Sequence, residues 1–211
     1  ITYLYLGMRR GGNNYYVFDV TQKASPTLKF MIEGGTVGLE KLGQTWSRPT
    51  ITKVRYGTEE KNVMIVGGGY DVAQDDKTVR SVDGVGNAVF MFDADTGDLL
   101  WSASNSDATV NLEHMNYSIP ARISVIDRDN DGFADHMYAA DMGGQLFRFD
   151  IYNGETGDNF VKGARLADFG GDTAETHRRF FYGPDVTEIA LGDELYYGVA
   201  IGSGWRASPL D

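Results

Sequence analysis

The segment Tyr117-Ser118-Ile119-Pro120 runs into Ala121-Arg122-Ile123-Ser124-Val125-Ile126. After it come Asp127-Arg128-Asp129-Asn130-Asp131-Gly132-Phe133-Ala134-Asp135 and then Met137-Tyr138-Ala139-Ala140-Asp141-Met142-Gly143-Gly144. Two short apolar runs flank a stretch of Asp, Asn and Gly, and the second run stops at a glycine pair. Runs this short, bounded by turn residues, predict strands, with the acidic stretch at the tip of a hairpin.

The same order of parts occurs twice more. Trp46-Ser47-Arg48-Pro49 leads into Thr50 to Val54, a turn, and Val63-Met64-Ile65-Val66-Gly67-Gly68-Gly69. Phe181-Tyr182-Gly183-Pro184 leads into Asp185 to Ile189, a turn, and Tyr197 to Gly204. The three prolines stand 71 and 64 residues apart. Each unit reads aromatic, proline, strand, turn, strand, glycines. A second half follows the glycines. Ala88 to Asp93 continues through a turn to Leu99 to Ser104, and Gln145 to Asp150 continues past Asn153-Gly154. Tyr15 to Val20, preceded by the strand-like Thr2 to Leu6, continues to Thr27 to Ile32.

Four antiparallel strands per unit, repeated in series, predict an all-β fold, part of a β-propeller. The blade units fall at about 1–35, 44–104, 117–170 and 180–211, with only the back half of the first and the front of the last represented. A closed propeller has about 4–8 blades, so the chain reads as part of a longer protein. Gln74 to Val85 and Asp172 to Arg179 stand outside the repeat and read as polar insertions on the rim.

Within the acidic stretch, side-chain oxygens recur at loop positions 1, 3, 5 and 9 (Asp127, Asp129, Asp131, Asp135), with Gly132 at position 6. This is the ligand spacing of an EF-hand-type calcium loop, in which position 7, here Phe133, adds its backbone carbonyl. Four carboxylates in nine residues repel one another, and a hard divalent cation relieves that repulsion. Magnesium fits less well, because it demands a tight octahedron and keeps its waters. Position 12, a bidentate glutamate in an EF-hand, is Tyr138, and the flanks are strands instead of helices. The competing reading is a solvated acidic turn, since Asp, Asn and Gly are ordinary turn residues.

Composition narrows the classes. A chain of 211 residues, 42% hydrophobic, can bury a real core, and 27 glycines suit many tight turns. The formal charge of −11 argues against nucleic acid. No apolar run approaches the ~20 residues of a membrane span. With no cysteine there is neither a disulfide nor a thiolate site. His114, His136 and His177 share no metal or triad spacing and read as surface or packing residues. Arg9-Arg10 and Arg178-Arg179 read as solvated basic pairs, and Trp46, Trp101 and Trp205 as packing between blades.

Asp93-Ala94-Asp95-Thr96-Gly97 followed by Trp101 resembles the blade-closing motif of quinoprotein-like propellers. A wider resemblance runs through Ser124 to Asp135 and Met137 to Asp150. It is supported by Gly7 to Gly12, Gly43 to Pro49 and Gly202-Ser203-Gly204-Trp205-Arg206. Along these residues the chain resembles the C-terminal propeller of the PilC/PilY family of type IV pilus-associated tip adhesin and biogenesis proteins. The resemblance implies a Ca2+ site on Asp127, Asp129, Asp131, the Phe133 carbonyl and Asp135, and no enzymatic activity. It further implies association with the pilus tip and its minor pilins, and adhesion to host or abiotic surfaces through the full-length protein. Pilus biogenesis, twitching motility with calcium opposing retraction, and a cell-surface location reached through the periplasm follow as expectations. The alternative is a fragment of a quinoprotein-type dehydrogenase. Such an enzyme would present calcium ligands and a catalytic aspartate from separate blades around the channel, whereas here the ligands share one loop.

Overall fold

Val63 to Val66 and Ala88 to Phe92 contain no polar residue, and a strand without alternation has to be covered on both faces. The computed structural model, which describes residues 1–204, shows how this is done. The first sheet has β1 (Tyr3–Gly7), β2 (Tyr15–Asp19) and β3 (Thr27–Ile32). The second has β4 (Thr50–Tyr56), β5 (Glu59–Gly67), β6 (Ala88–Asp93), β7 (Leu99–Ser104) and the short β8 (Val110–Asn111). The third has β9 (Ser124–Ile126), β10 (His136–Ala140), β11 (Gln145–Ile151) and β12 (Val161–Asp168). The last is the hairpin of β13 (Asp185–Leu191) and β14 (Glu194–Ala200). Neighbouring strands pair antiparallel except β8, which lies parallel to β7. Three 3-10 turns are the only helices among the described residues, and none of them is long and apolar enough to cross a membrane.

The sheets stack face to face. Val63 and Ile65 on β5, with Val89 and Met91 on β6, face the third sheet, where they meet Met137, Ala139, Phe147 and Phe149. The alternate residues Met64, Val66, Phe90 and Phe92 face the first sheet and its Tyr15 and Ile32. Opposite parity therefore assigns each residue to one of two cores. Ala140 and Leu146 begin a smaller core against Phe180, Val199 and Ile201 of the last unit. Among the described residues, Leu4, Leu6, Leu28 and Met31 on the outer face of the first sheet and Ile189, Leu191 and Tyr196 on the last hairpin are exposed.

The Asp93 to Trp101 motif works as a two-sided joint. Asp93 Oδ1 accepts the N–H groups of Asp95 and Thr96, closing the turn. Gly97, at φ +86°, brings the turn against the Phe30 ring of the first sheet. Trp101 is buried and meets the Phe149 ring edge-on at 5.5 Å in the third sheet.

Inner ends of the sheets are stitched through the serine before each early proline. Ser47 Oγ donates to the Ala121 carbonyl (2.8 Å) and accepts from Gly67 N–H (2.9 Å). Thr50 Oγ1 donates to the Ile123 carbonyl, and Met142 N–H donates to the Ser118 carbonyl. These bonds account for two departures from the expected strands. Regular pairing starts at Ser124 and not Ala121, because Ala121 and Ile123 spend their carbonyls on the preceding sheet. β5 ends at Gly67, since Gly69 turns to φ +96° and donates to the Ile119 carbonyl.

The two polar insertions carry ordered contacts of their own. Gln74 and Asp83 are buried and hydrogen-bonded to each other at 2.7 Å. Arg80 reaches across to Asp168 (2.9 Å) and Asp172 (2.7 Å). Arg179, expected on a solvated face, is buried and donates to the Lys77 carbonyl, which draws the second insertion onto the first. Arg10 pairs with Asp75 through its two terminal guanidinium nitrogens, Nη1 and Nη2, while Arg9 lies over Trp46. Trp205 and Arg206 lie outside the described residues.

Because Trp101 fills the joint between the second and third sheets, Trp101→Ala is expected to destabilise the propeller by about 3–5 kcal/mol. The measurement is the shift in its urea midpoint. Trp46→Ala, at a half-buried position, should shift the midpoint less.

Candidate metal centre

The acidic loop is the connection between β9 and β10, held at its base by the Ile126–His136 register pair. Its course is set by side chains turning back onto their own backbone, as short Asp and Asn residues do. Asp127 Oδ2 accepts from Gly132 N–H (2.9 Å), and Asp129 Oδ1 from Asp131 N–H (3.2 Å). Asp131 Oδ1 accepts from Phe133 N–H (2.9 Å), and Asp135 Oδ2 from Arg128 N–H (2.7 Å). Asn130 at φ +59° and Gly132 at φ +93° supply the left-handed bends. A Cβ at Gly132 would meet nothing within 4 Å, so glycine is needed there for its backbone freedom and not for space.

Ligand-capable oxygens of Asp127, Asp129 and Asp135 converge within 4.8 Å of one another. Asp127 Oδ1 is buried and has no hydrogen-bond partner. A buried carboxylate oxygen left unpaired is costly, and a hard cation coordinated by oxygens would satisfy it. The donor set therefore fits calcium. Asp131 is not in the cluster. Its Oδ2 stands 3.5 Å from Arg55 Nη1, and its neighbour Phe133 is buried under the same guanidinium, with Arg55 Cζ 3.8 Å from the ring centroid.

The loop is braced from the neighbouring sheet by residues that its own spacing could not reveal. Ala134 N–H donates to the Lys53 carbonyl on β4 (2.8 Å). Asn153, just after β11, accepts from Arg55 N–H (2.7 Å) and donates to the Ala134 carbonyl (3.0 Å). In the sequence Asn153-Gly154 carries a turn signature and nothing more, and Arg55 is one basic residue at a strand end. Their roles depend on contacts across 98 and 19 residues of sequence.

On the other flank, His136 follows Asp135 directly and is buried. Its Nδ1 stands 2.7 Å from Asp150 Oδ1, which also accepts from Arg148 Nε at 2.7 Å. Burial opposes the Arg148 charge, yet the Asp150 hydrogen bond and charge carry its pKa above the ordinary arginine value. The His136 ring meets Tyr197 of the last unit edge-on at 5.7 Å, so this histidine packs between sheets. His114 is exposed beside Glu113, and His177 is half-buried between the Met142 and Thr78 carbonyls. Burial lowers the His177 pKa, against the pull of the Met142 carbonyl. At the inner end, Asp141 accepts from Gly143 N–H, Gln145 N–H and Gln145 Nε2, closing the turn between β10 and β11. Complete burial pushes its carboxyl up to about 8.

Stacked, mainly antiparallel sheets of three, five, four and two strands, an acidic loop in a hairpin and glycine-rich inner ends define part of a β-propeller with a candidate cation loop. The family model for the PilY1 beta-propeller domain matches residues 1–194, and the chain belongs to that family. Similar proteins include the type IV pilus biogenesis factor PilY1 of Pseudomonas aeruginosa strain PAO1, 27% identical over 157 residues. That match covers 73% of this chain and 12% of the relative. The factor of the same name from strain UCBPP-PA14 is 26% identical over 149 residues, covering 71% of this chain and 11% of the relative. The chain thus spans about an eighth of the length of these curated relatives. The crystal structure of the Pseudomonas aeruginosa PilY1 C-terminal domain superposes with a TM-score of 0.69 at 21% identity. It covers 96% of this chain and 41% of that one, and shows the same fold. The relatives are named as type IV pilus biogenesis factors, and the family assignment replaces the alternative of a quinoprotein-type dehydrogenase fragment.

Removing the Asn153 bridge tests how the loop is held. Asn153→Ala is expected to cost about 0.5–1.5 kcal/mol, the net contribution of a typical intramolecular hydrogen bond. Hydrogen exchange should accelerate first at the Arg55 amide, whose N–H loses its acceptor.

Proposed function

We propose that this chain is the calcium-binding part of a propeller in a type IV pilus-associated protein. In this reading it supports pilus biogenesis, twitching motility and surface adhesion, and calcium occupancy opposes pilus retraction. One observation carries the calcium part: three carboxylates converge while Asp127 Oδ1 is buried without a partner. Family membership and the names of the relatives support the pilus part. Partners in the full-length protein would be the pilus tip with its minor pilins and a host or abiotic surface, and the location the cell surface.

Asp127, Asp129 and Asp135 would hold the ion, with Asp131 and the Phe133 carbonyl completing the loop's set. A bound calcium would supply the positive charge that four neighbouring carboxylates lack. The chain's own part is to hold those oxygens at fixed spacing. The Asp-to-backbone hydrogen bonds and the Lys53 and Asn153 braces do this from both sides. With these braces in place, loss of the ion loosens the hairpin tip and leaves the blade folded. A partner at this face would then meet a rigid, partly neutralised loop or a mobile, strongly negative one.

Calcium in hundredfold excess over its dissociation constant should stabilise the fold by about 2.7 kcal/mol, seen as a rise in melting temperature over chelator. Asp127→Ala should abolish that rise. An unchanged melting temperature, together with no binding heat, would sink the site. For the pilus role, Asp127→Ala with Asp131→Ala in the full-length protein should reduce surface pili, and disabling retraction should restore them. Loss of pili in both backgrounds, with the variant degraded, would leave calcium as a folding requirement only.

A further inference from the structure

Arg55 lies on β4, in the sheet preceding the loop's own, and its placement is fixed at several points. Its N–H is held by Asn153 Oδ1, and its carbonyl accepts from Gly154 N–H (2.9 Å). Its guanidinium covers the Phe133 ring. The two charges near that guanidinium are Asp131 Oδ2 at 3.5 Å from Nη1 and Glu60 Oε1 at 3.9 Å from Nε. Of the four loop carboxylates, Asp131 alone stands outside the converging cluster, and it is the one facing a cation from another sheet.

We infer that Arg55 is a built-in counterion that competes with calcium for the Asp131 carboxylate. This rests on the calcium reading above and deepens it. One oxygen of Asp131 is already engaged by the Phe133 N–H, so the oxygen facing Arg55 is the one left to contest. When the loop is without an ion, the guanidinium neutralises part of its charge and ties it to the second sheet. When Asp131 turns to the ion, Glu60 on β5 gives Arg55 another partner within its own sheet. Occupancy thereby exchanges an ion pair between sheets for one within a sheet. The Arg55 side chain is 45% exposed, so solvent screens the pair, and its role is to tune affinity.

The test is calorimetric titration of the full-length protein with calcium, for wild type, Arg55→Met and Arg55→Lys, each with and without Asp131→Asn. Met keeps an apolar stem on Phe133 without the charge, and Lys keeps the charge without the planar stack. Arg55→Met is expected to tighten binding by about two- to fivefold, the range an exposed ion pair allows, while Arg55→Lys stays close to wild type. In the Asp131→Asn background the gain from Arg55→Met should disappear. Equal or weaker binding by Arg55→Met overturns the competition. A gain that persists undiminished in the Asp131→Asn background also overturns it, since plain charge repulsion would then explain the effect. If Arg55→Met fails to fold in chelator, as judged by melting, Arg55→Gln takes its place with the same expectation. Wild type that binds no calcium removes the site reading itself, a result distinct from any difference between variants.

Discussion

Burial of both faces of β5 and β6 is the constraint on which the rest of the structure depends. A four- or five-stranded sheet covered on one side would leave Phe90 and Phe92, or Val89 and Met91, in water. Covering both sides forces successive sheets to stack. Stacking then requires the chain to pass from the outer strand of one sheet to the inner strand of the next. The serines and glycines at the inner ends follow from that passage. Backbones approach closely there, and a carbonyl such as that of Ala121 is satisfied from the neighbouring sheet.

The acidic loop inherits its geometry from this stack. A nine-residue turn rich in like charge has little reason to keep one shape in isolation. Here it is flanked by Lys53 and Arg55 of one sheet and by the His136–Asp150–Arg148 network that faces the next. The loop thus sits where three successive units can sense its state, with covalent ties to only one of them.

Much of this is legible in the residues. β3, β6 and β7 begin and end where the pattern of apolar runs and turns places them. The joint made by Asp93, Gly97 and Trp101 can be read because it is local, a turn and its anchor within nine residues. The candidate ion ligands are named on the same ground. What stays hidden depends on long-range partners: the burial of Arg179 under Lys77, the ordered core around Gln74 and Asp83, and the cover that Arg55 gives Phe133. β8 escapes a reading by pattern because two residues paired in parallel leave no period to detect. Asp131 belongs to the same class. Its spacing marks it as a ligand equal to its neighbours, and only a side chain from another sheet sets it apart.

The opposite parity of the residues in β5 and β6 has a consequence for how a substitution is felt. Val63, Ile65, Val89 and Met91 belong to the joint with the third sheet, and Met64, Val66, Phe90 and Phe92 to the joint with the first. Neighbours in sequence therefore report on different interfaces. Moving a truncation by a single position transfers the cavity from one side of the sheet to the other, so these two strands carry two independent probes of the stack on one stretch of backbone.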